Sequence, residues 1–191
     1  EVAFVGVQEA KIAADEIPHL ETRFAREGWT LSAEPCLVSL EGGRSAGVAL
    51  LARDGIGMAP LTSANCGVHV PRTHRAGYWV VEGGPPGGFV CCVLHLYDCV
   101  GPSARSNADM LNSTLVLLRA LARPFLVLAD WNCTPAELHA TGWTEAIGGV
   151  CVTTGRATSN LKTCDGGVAS RELDFAVVAS SCAQGCSARL Y

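Results

Sequence analysis

The stretch FLVLADWNCTP, Phe125 to Pro135, sets a carboxylate and a carboxamide directly behind four apolar residues and Ala129. A nearly all-apolar run of this length, closed by Thr134-Pro135, reads as a buried strand. Asp130 and Asn132 then stand at the strand's exit, where a polar side chain is held by the sheet without being buried unpaired. Asp-x-Asn before Thr-Pro is also turn and helix-cap composition, because both side chains bond to local backbone. Two further acidic groups share the context: Glu9 follows VGVQ, and Asp174 lies within SRELDFAVV. Carboxylates converging from several strand ends would suit a hard cation such as Mg2+ or Mn2+.

Upstream, the period changes from Ser106 on. Leu111, Leu115, Leu118 and Ala122 share one helical face, Ser106 and Asp109 are placed to cap its start, and Pro124 ends it. GFVCCVLHLY is a strand ending at Tyr97. WTLSAEPCLV and AGVALLA form one strand pair, NCGVHVPR and RAGYWVVEGG another, and Gly83 to Gly88 is a turn. At the start of the chain, Val2 to Val7 is a short strand. A surface helix follows it, with Ile17, Leu20 and Phe24 on one face, Asp15 near its start and Gly28 at its stop. Downstream come a short helix and turn in CTPAELHATGW, a faint strand in IGGVCVT, a loop through TGRATSNLKTCDGGVAS, and a last strand in ELDFAVVAS.

Direct hairpins argue against a simple doubly wound parallel sheet. The expected fold is mixed α/β (α+β): two packed, mainly antiparallel sheets flanked by helices in a four-layer sandwich. The 191 residues suffice for one domain with a sizeable core. With 49% hydrophobic and 17% charged residues, the composition is globular. A net charge of -4 argues against a highly basic, nonspecific polyanion binder, though not against a local basic rim. The ten cysteines show no CxxC and no zinc-type quartet, and several lie in apolar runs, which favours a reducing compartment over a disulfide scaffold. No apolar run is long enough for a membrane span.

The ordered set VQE, Leu96-Tyr97 behind a strand, LADWNCTP and SRELDFAVV resembles the endonuclease/exonuclease/phosphatase superfamily of metal-dependent phosphodiesterases and phosphatases, and within it the endonuclease domains of non-LTR retroelements. The resemblance runs from Val2 to Ser180. It implies that Glu9 is a metal ligand and that Asp130 aligns or deprotonates the attacking water. It further implies that Asn132 stabilises the scissile phosphate, Tyr97 contacts it or the leaving group, and Asp174 supports the network. Mg2+ or Mn2+ is the implied cofactor, nucleic acid, DNA above all, the implied partner, and cytoplasm or nucleus the implied location.

This sequence departs from the family pattern in several places. Ala129 stands for the usual Gly, Trp131 for Phe, and Asp98-Cys99 follow Tyr97 where a proline is often found. The family's early Asn and terminal Ser-Asp-His have no counterpart, so a single domain over residues 1–191, incomplete at both termini, is expected. Arg72, Arg75 and Arg105 are candidate phosphate contacts, as are Arg156 and Lys162 in the late loop. His95 is either a phosphate-orienting group or a hydrogen-bonded histidine at a sheet end, and it is expected to face the same side as Tyr97. Trp79 reads as core and Trp143 as a candidate for base stacking. No nucleophile elbow and no P-loop occurs. A phosphomonoesterase or lipid phosphatase of the same fold, and an inactive nucleic-acid-binding or structural remnant, are the alternatives.

Overall fold

Apolar side chains on alternating residues become sheet in both halves of this chain. The computed structural model describes residues 3–83, 87–158 and 171–188. The chain divides into two compact units, Glu1–His95 and Leu96–Tyr191.

The first unit contains β1 (Phe4–Val7), α1 (Ile17–Arg26), β2 (Trp29–Glu34), β3 (Leu37–Val38), β4 (Arg44–Ser45), β5 (Val48–Arg53), β6 (Met58–Pro60), α2 (Ser63–Cys66), β7 (Ala76–Val81) and β8 (Phe89–His95). Central β5 runs antiparallel to both β1 and β2, with Leu51 opposite Val5 on one side and Leu31 on the other. Its Val48, Ala49, Leu50 and Ala52 are buried, as a strand covered on both edges requires. β6, β7 and β8 form an antiparallel meander, and β5 packs on β7 and β8. The buried Trp79 ties the two sheets together by donating its indole N–H to Ser32 Oγ at 2.8 Å. α1 lies against β2 with no fully buried residue, and Gly28, at φ 76°, follows its end. β3 and β4 make a separate two-stranded hairpin.

The strand expected in NCGVHVPR is absent; Ser63–Cys66 is helical instead. Thr62 and Asn65 form a reciprocal capping box, with Asn65 N–H on Thr62 Oγ1 at 3.2 Å and Thr62 N–H on Asn65 Oδ1 at 2.9 Å. These two bonds satisfy the first-turn donors, and Gly67 in the left-handed region ends the turn. Local capping thus outweighs the apolar alternation.

The second unit contains α3 (Arg105–Leu121), β9 (Phe125–Asp130), α4 (Pro135–Ala140), α5 (Trp143–Ala146), β10 (Gly149–Val152), β11 (Asp174–Ala179) and a 3-10 turn at Ser180–Gly185. β11 is the middle strand, antiparallel to β9 and to β10. β9 alternates buried Phe125, Val127 and Ala129 with half-buried Leu126, Leu128 and Asp130, rather than being buried throughout. α3 starts after Ala104 without a side-chain cap, so Ser106 lies inside the helix. Its buried stripe is Asn107, Met110, Leu111, Thr114, Leu117 and Leu118; Leu115 is only half-buried and Ala122 is exposed. The two polar members displace the stripe from the one the leucines suggest. Thr114 is accommodated because its hydroxyl donates to Met110 O at 3.0 Å.

An aromatic cluster fastens these elements. Trp131 stacks on Phe175 with centroids 5.1 Å apart and meets Trp143 edge-on at 5.6 Å. Trp143 is buried and donates to Leu111 O at 2.7 Å, which removes it as a base-stacking platform. The eight cysteines Cys36, Cys66, Cys91, Cys92, Cys133, Cys151, Cys182 and Cys186 are free. Cys99 is disulfide-bonded, which the preference for a reducing compartment did not anticipate. Among the described residues no helix is long and apolar enough to cross a membrane.

Neighbouring α3 residues test the packing. Leu117 is 1% exposed and Val116 66%, so Leu117→Ala should cost about 2–5 kcal/mol and Val116→Ala less than about 0.5 kcal/mol in urea unfolding. Equal shifts for the two variants would show that the helix does not bury this face.

Candidate active site

The β9–β11 ladder places Asp130 directly opposite Asp174. Facing residues of an antiparallel pair project to the same side of the sheet, with Cβ atoms roughly 5 Å apart. Like charges so placed repel. Asp130 is half-buried at the end of its strand and Asp174 is exposed at the start of its own.

Backbone anchors hold both ends. Trp131 N–H donates to Leu173 O at 2.9 Å and its indole to Phe175 O at 2.9 Å, so the residue after Asp130 is bound to both sides of Asp174. Thr158 Oγ1 accepts from the N–H groups of Leu173 and Asp174, each at 2.9 Å. Asn132 takes the left-handed conformation at φ 47°, which Asn tolerates better than most residues. Its N–H donates to Asp130 Oδ1 at 3.1 Å, and its Nδ2 donates to Leu96 O at 2.8 Å. The backbone at Ala129 does not call for glycine, since the positive φ falls at 132, not at 129.

The helix-cap reading of this stretch resolves onto other residues. Thr134 and Glu137 form the capping box of α4, while Asp130 and Asn132 form a local turn. Glu137 is held below the usual carboxylate range, first by the Thr134 N–H at 2.6 Å, then by the Thr134 hydroxyl and the Arg171 guanidinium. Behind Asn132, burial pushes the Cys133 thiol up to about 12, helped by the charge of Glu137. A thiol in that state is no nucleophile at neutral pH.

Tyr97 is 42% exposed just beyond β8. Asn107 was missed in the sequence, although an asparagine inside a buried helical stripe is a signal. Its Oδ1 accepts from Tyr97 N–H at 2.8 Å, and its Nδ2 donates to Tyr97 O at 3.0 Å and Gly101 O at 2.9 Å. The second unit thus brings together Asp130, Asn132 and Asp174, with the Leu96–Tyr97 backbone bonded to the Asn132 side chain.

The remaining candidates are placed as follows. In the first unit Glu9 is exposed, at φ 49°, with its carboxylate 3.8 Å from Lys11 Nζ. His95, the last residue of β8, is buried. Arg75 donates to His95 Nδ1 at 3.1 Å. A guanidinium only donates, so that nitrogen accepts and the ring proton sits on Nε2. Arg72 is exposed, and its charge favours the ionised form of Glu34, whose carboxyl burial pushes up. In the second unit Arg105 is exposed, 3.9 Å from Asp109, and Arg156 is exposed in the late loop. Lys162 lies outside the described residues. Among the described residues no three or more His, Cys, Asp or Glu side chains are gathered as a metal cluster.

No protein-family model matches the chain, and no curated protein matches it by sequence. Solved structures do. An AP endonuclease from Leishmania major is 14% identical, covering 95% of this chain and 71% of its own, with a TM-score of 0.58. An endonuclease/exonuclease/phosphatase family protein from Leptotrichia buccalis is 13% identical over 92% of this chain and 74% of its own, at 0.55. The endonuclease domain of a telomere-specific non-LTR retrotransposon is 10% identical over 94% of this chain and 87% of its own, at 0.53. With sheets of mainly antiparallel strands flanked by helices, the chain has the fold of the endonuclease/exonuclease/phosphatase superfamily.

Two solution measurements follow from this geometry. In the folded protein at mildly alkaline pH, iodoacetamide should modify exposed Cys186 and spare Cys133, as read by peptide mass mapping; equal modification would contradict the buried thiol. Because the Glu137 pKa is depressed, its stabilisation is complete above the unfolded carboxylate's ordinary value and is lost as pH falls through the lower folded one. Glu137→Gln should therefore be less stable than wild type at neutral pH, with the gap closing toward acid. A gap independent of pH would contradict this.

Proposed function

We propose that this chain is a metal-dependent phosphodiester hydrolase of the endonuclease kind, acting on DNA. The observation that carries the proposal is the cross-strand pair Asp130 and Asp174 beside Asn132. Two facing carboxylates are costly in a sheet, and a divalent cation offsets their repulsion. All available donors are oxygens, which suits Mg2+ or Mn2+, and Mg2+ needs only one or two carboxylates because it keeps several waters. Glu9 is assigned to the cation by its place in the sequence pattern alone. When bound, the cation polarises the phosphoryl oxygen and steadies the leaving oxyanion.

The chain's own groups supply the remaining chemistry. Asp130, fixed at a strand end, orients a water and accepts its proton as the water oxygen bonds to phosphorus and the P–O bond to the leaving group breaks. Asn132, held by its turn and by Leu96, presents its amide to a phosphate oxygen. Tyr97 contacts the phosphate or leaving group, and Asp174 sets the charge around Asp130. Arg72, Arg75, Arg105, Arg156 and Lys162 are proposed to touch backbone phosphates, positioning DNA without reading sequence, and His95 acts with Arg75. A cytoplasmic or nuclear location suits a nucleic-acid substrate.

The absence of a three-residue metal cluster among the described residues favours a second reading, a nucleic-acid-binding remnant without catalysis. Cleavage of supercoiled DNA with Mg2+ or Mn2+ separates the two. Wild type should nick the plasmid, Asp130→Asn should lower the rate by about 100-fold or more, and Asp174→Asn and Asn132→Ala should also lower it. Gel retardation without metal-dependent cleavage would establish the second reading. Cleavage undiminished in Asp130→Asn would dismiss the proposed site.

A further inference from the structure

Asn107 belongs to none of the motifs in the sequence, yet it is one of the few buried polar side chains, 1% exposed in the apolar stripe of α3. An asparagine there costs helix propensity and desolvation that a leucine would not. What it gains is three hydrogen bonds to backbone outside the helix. Its carboxamide closes on both polar groups of Tyr97 and on Gly101 O, so both of its N–H donors are engaged.

The neighbouring peptide is tied from the other direction. Leu96 N–H donates to Asp130 O at 3.0 Å, and Leu96 O accepts from Asn132 Nδ2 at 2.8 Å. All four backbone polar groups of Leu96 and Tyr97 are therefore fixed, two by the Asp130–Asn132 turn and two by Asn107. In the loop that follows, Cys99, which is disulfide-bonded, and Gly101 take positive φ values of 61° and 71°, a path that an L-residue such as cysteine rarely follows. Tyr97 itself is 42% exposed.

We infer that Asn107 is the positioning residue for Tyr97: it holds that residue's backbone, through the Leu96–Tyr97 peptide, in register with the Asp130–Asn132 turn. The catalytic consequence rests on the hydrolase reading above; the clamp itself does not. Two variants test it. Asn107→Leu keeps the branched shape, with somewhat more bulk, and loses all three bonds, while Asn107→Asp keeps the acceptor toward Tyr97 N–H and loses the donors.

Amide hydrogen exchange at Tyr97 should quicken by about tenfold in Asn107→Leu and less in Asn107→Asp, with β9 and β11 unchanged. In the cleavage assay Asn107→Leu should lower kcat by about tenfold with KM little altered, and it should add nothing in a Tyr97→Ala background. Unchanged exchange at Tyr97, or the same kcat loss with Tyr97 removed, would overturn the inference. If Asn107→Leu does not fold, Asn107→Asp carries both readings. If wild type does not cleave DNA, the hydrolase reading falls and the exchange result alone decides the clamp.

Discussion

The β9–β11 register is the constraint on which the second unit's chemistry depends. An antiparallel ladder fixes which residues face each other, and a slip of one residue would send every side chain of a strand to the opposite face. Here the ladder ends with Asp130 opposite Asp174. The apolar residues behind them pin that register: buried Val127 and Val177 face each other inside the sheet. Just outside it, Trp131 fills the space against Phe175 and Trp143. Hydrophobic burial thus does the work of holding two like charges together, a task that electrostatics opposes.

The polar part of the site is built differently. Few of its members are placed by burial; most are placed by hydrogen bonds between a side chain and a backbone group distant in the sequence. Thr158 gathers two amides in front of Asp174, Asn132 reaches back to Leu96, and Asn107 holds Tyr97. Such bonds set angles more sharply than apolar contact does, because donor and acceptor must align.

Long apolar segments made much of this legible in the sequence. FLVLAD and DFAVVA had to be strands, the segment after Ser106 had to be a helix, and the acidic residues at strand ends followed from the letters alone. The fold was accordingly readable, and so was the list of candidate groups. What stayed hidden was decided by competition between local bonds. Thr62 and Asn65 cap a short helix where alternation suggested a strand, and a polar pair, Asn107 and Thr114, shifts the buried face of α3. Asn107's partner groups lie six to ten residues away in a loop, so no spacing rule announces them. The disulfide at Cys99 was equally invisible, since that cysteine stands alone in the sequence between polar and apolar neighbours.

The backbone at Asn132 limits how this site can drift over evolutionary time. Glycine would accept the left-handed twist but bring no amide, aspartate would accept it but has no N–H to offer Leu96 O, and β-branched residues would resist the twist itself. Asparagine meets both demands with a short side chain, so a change to any of these residues exacts a loss either of conformation or of the bond to Leu96.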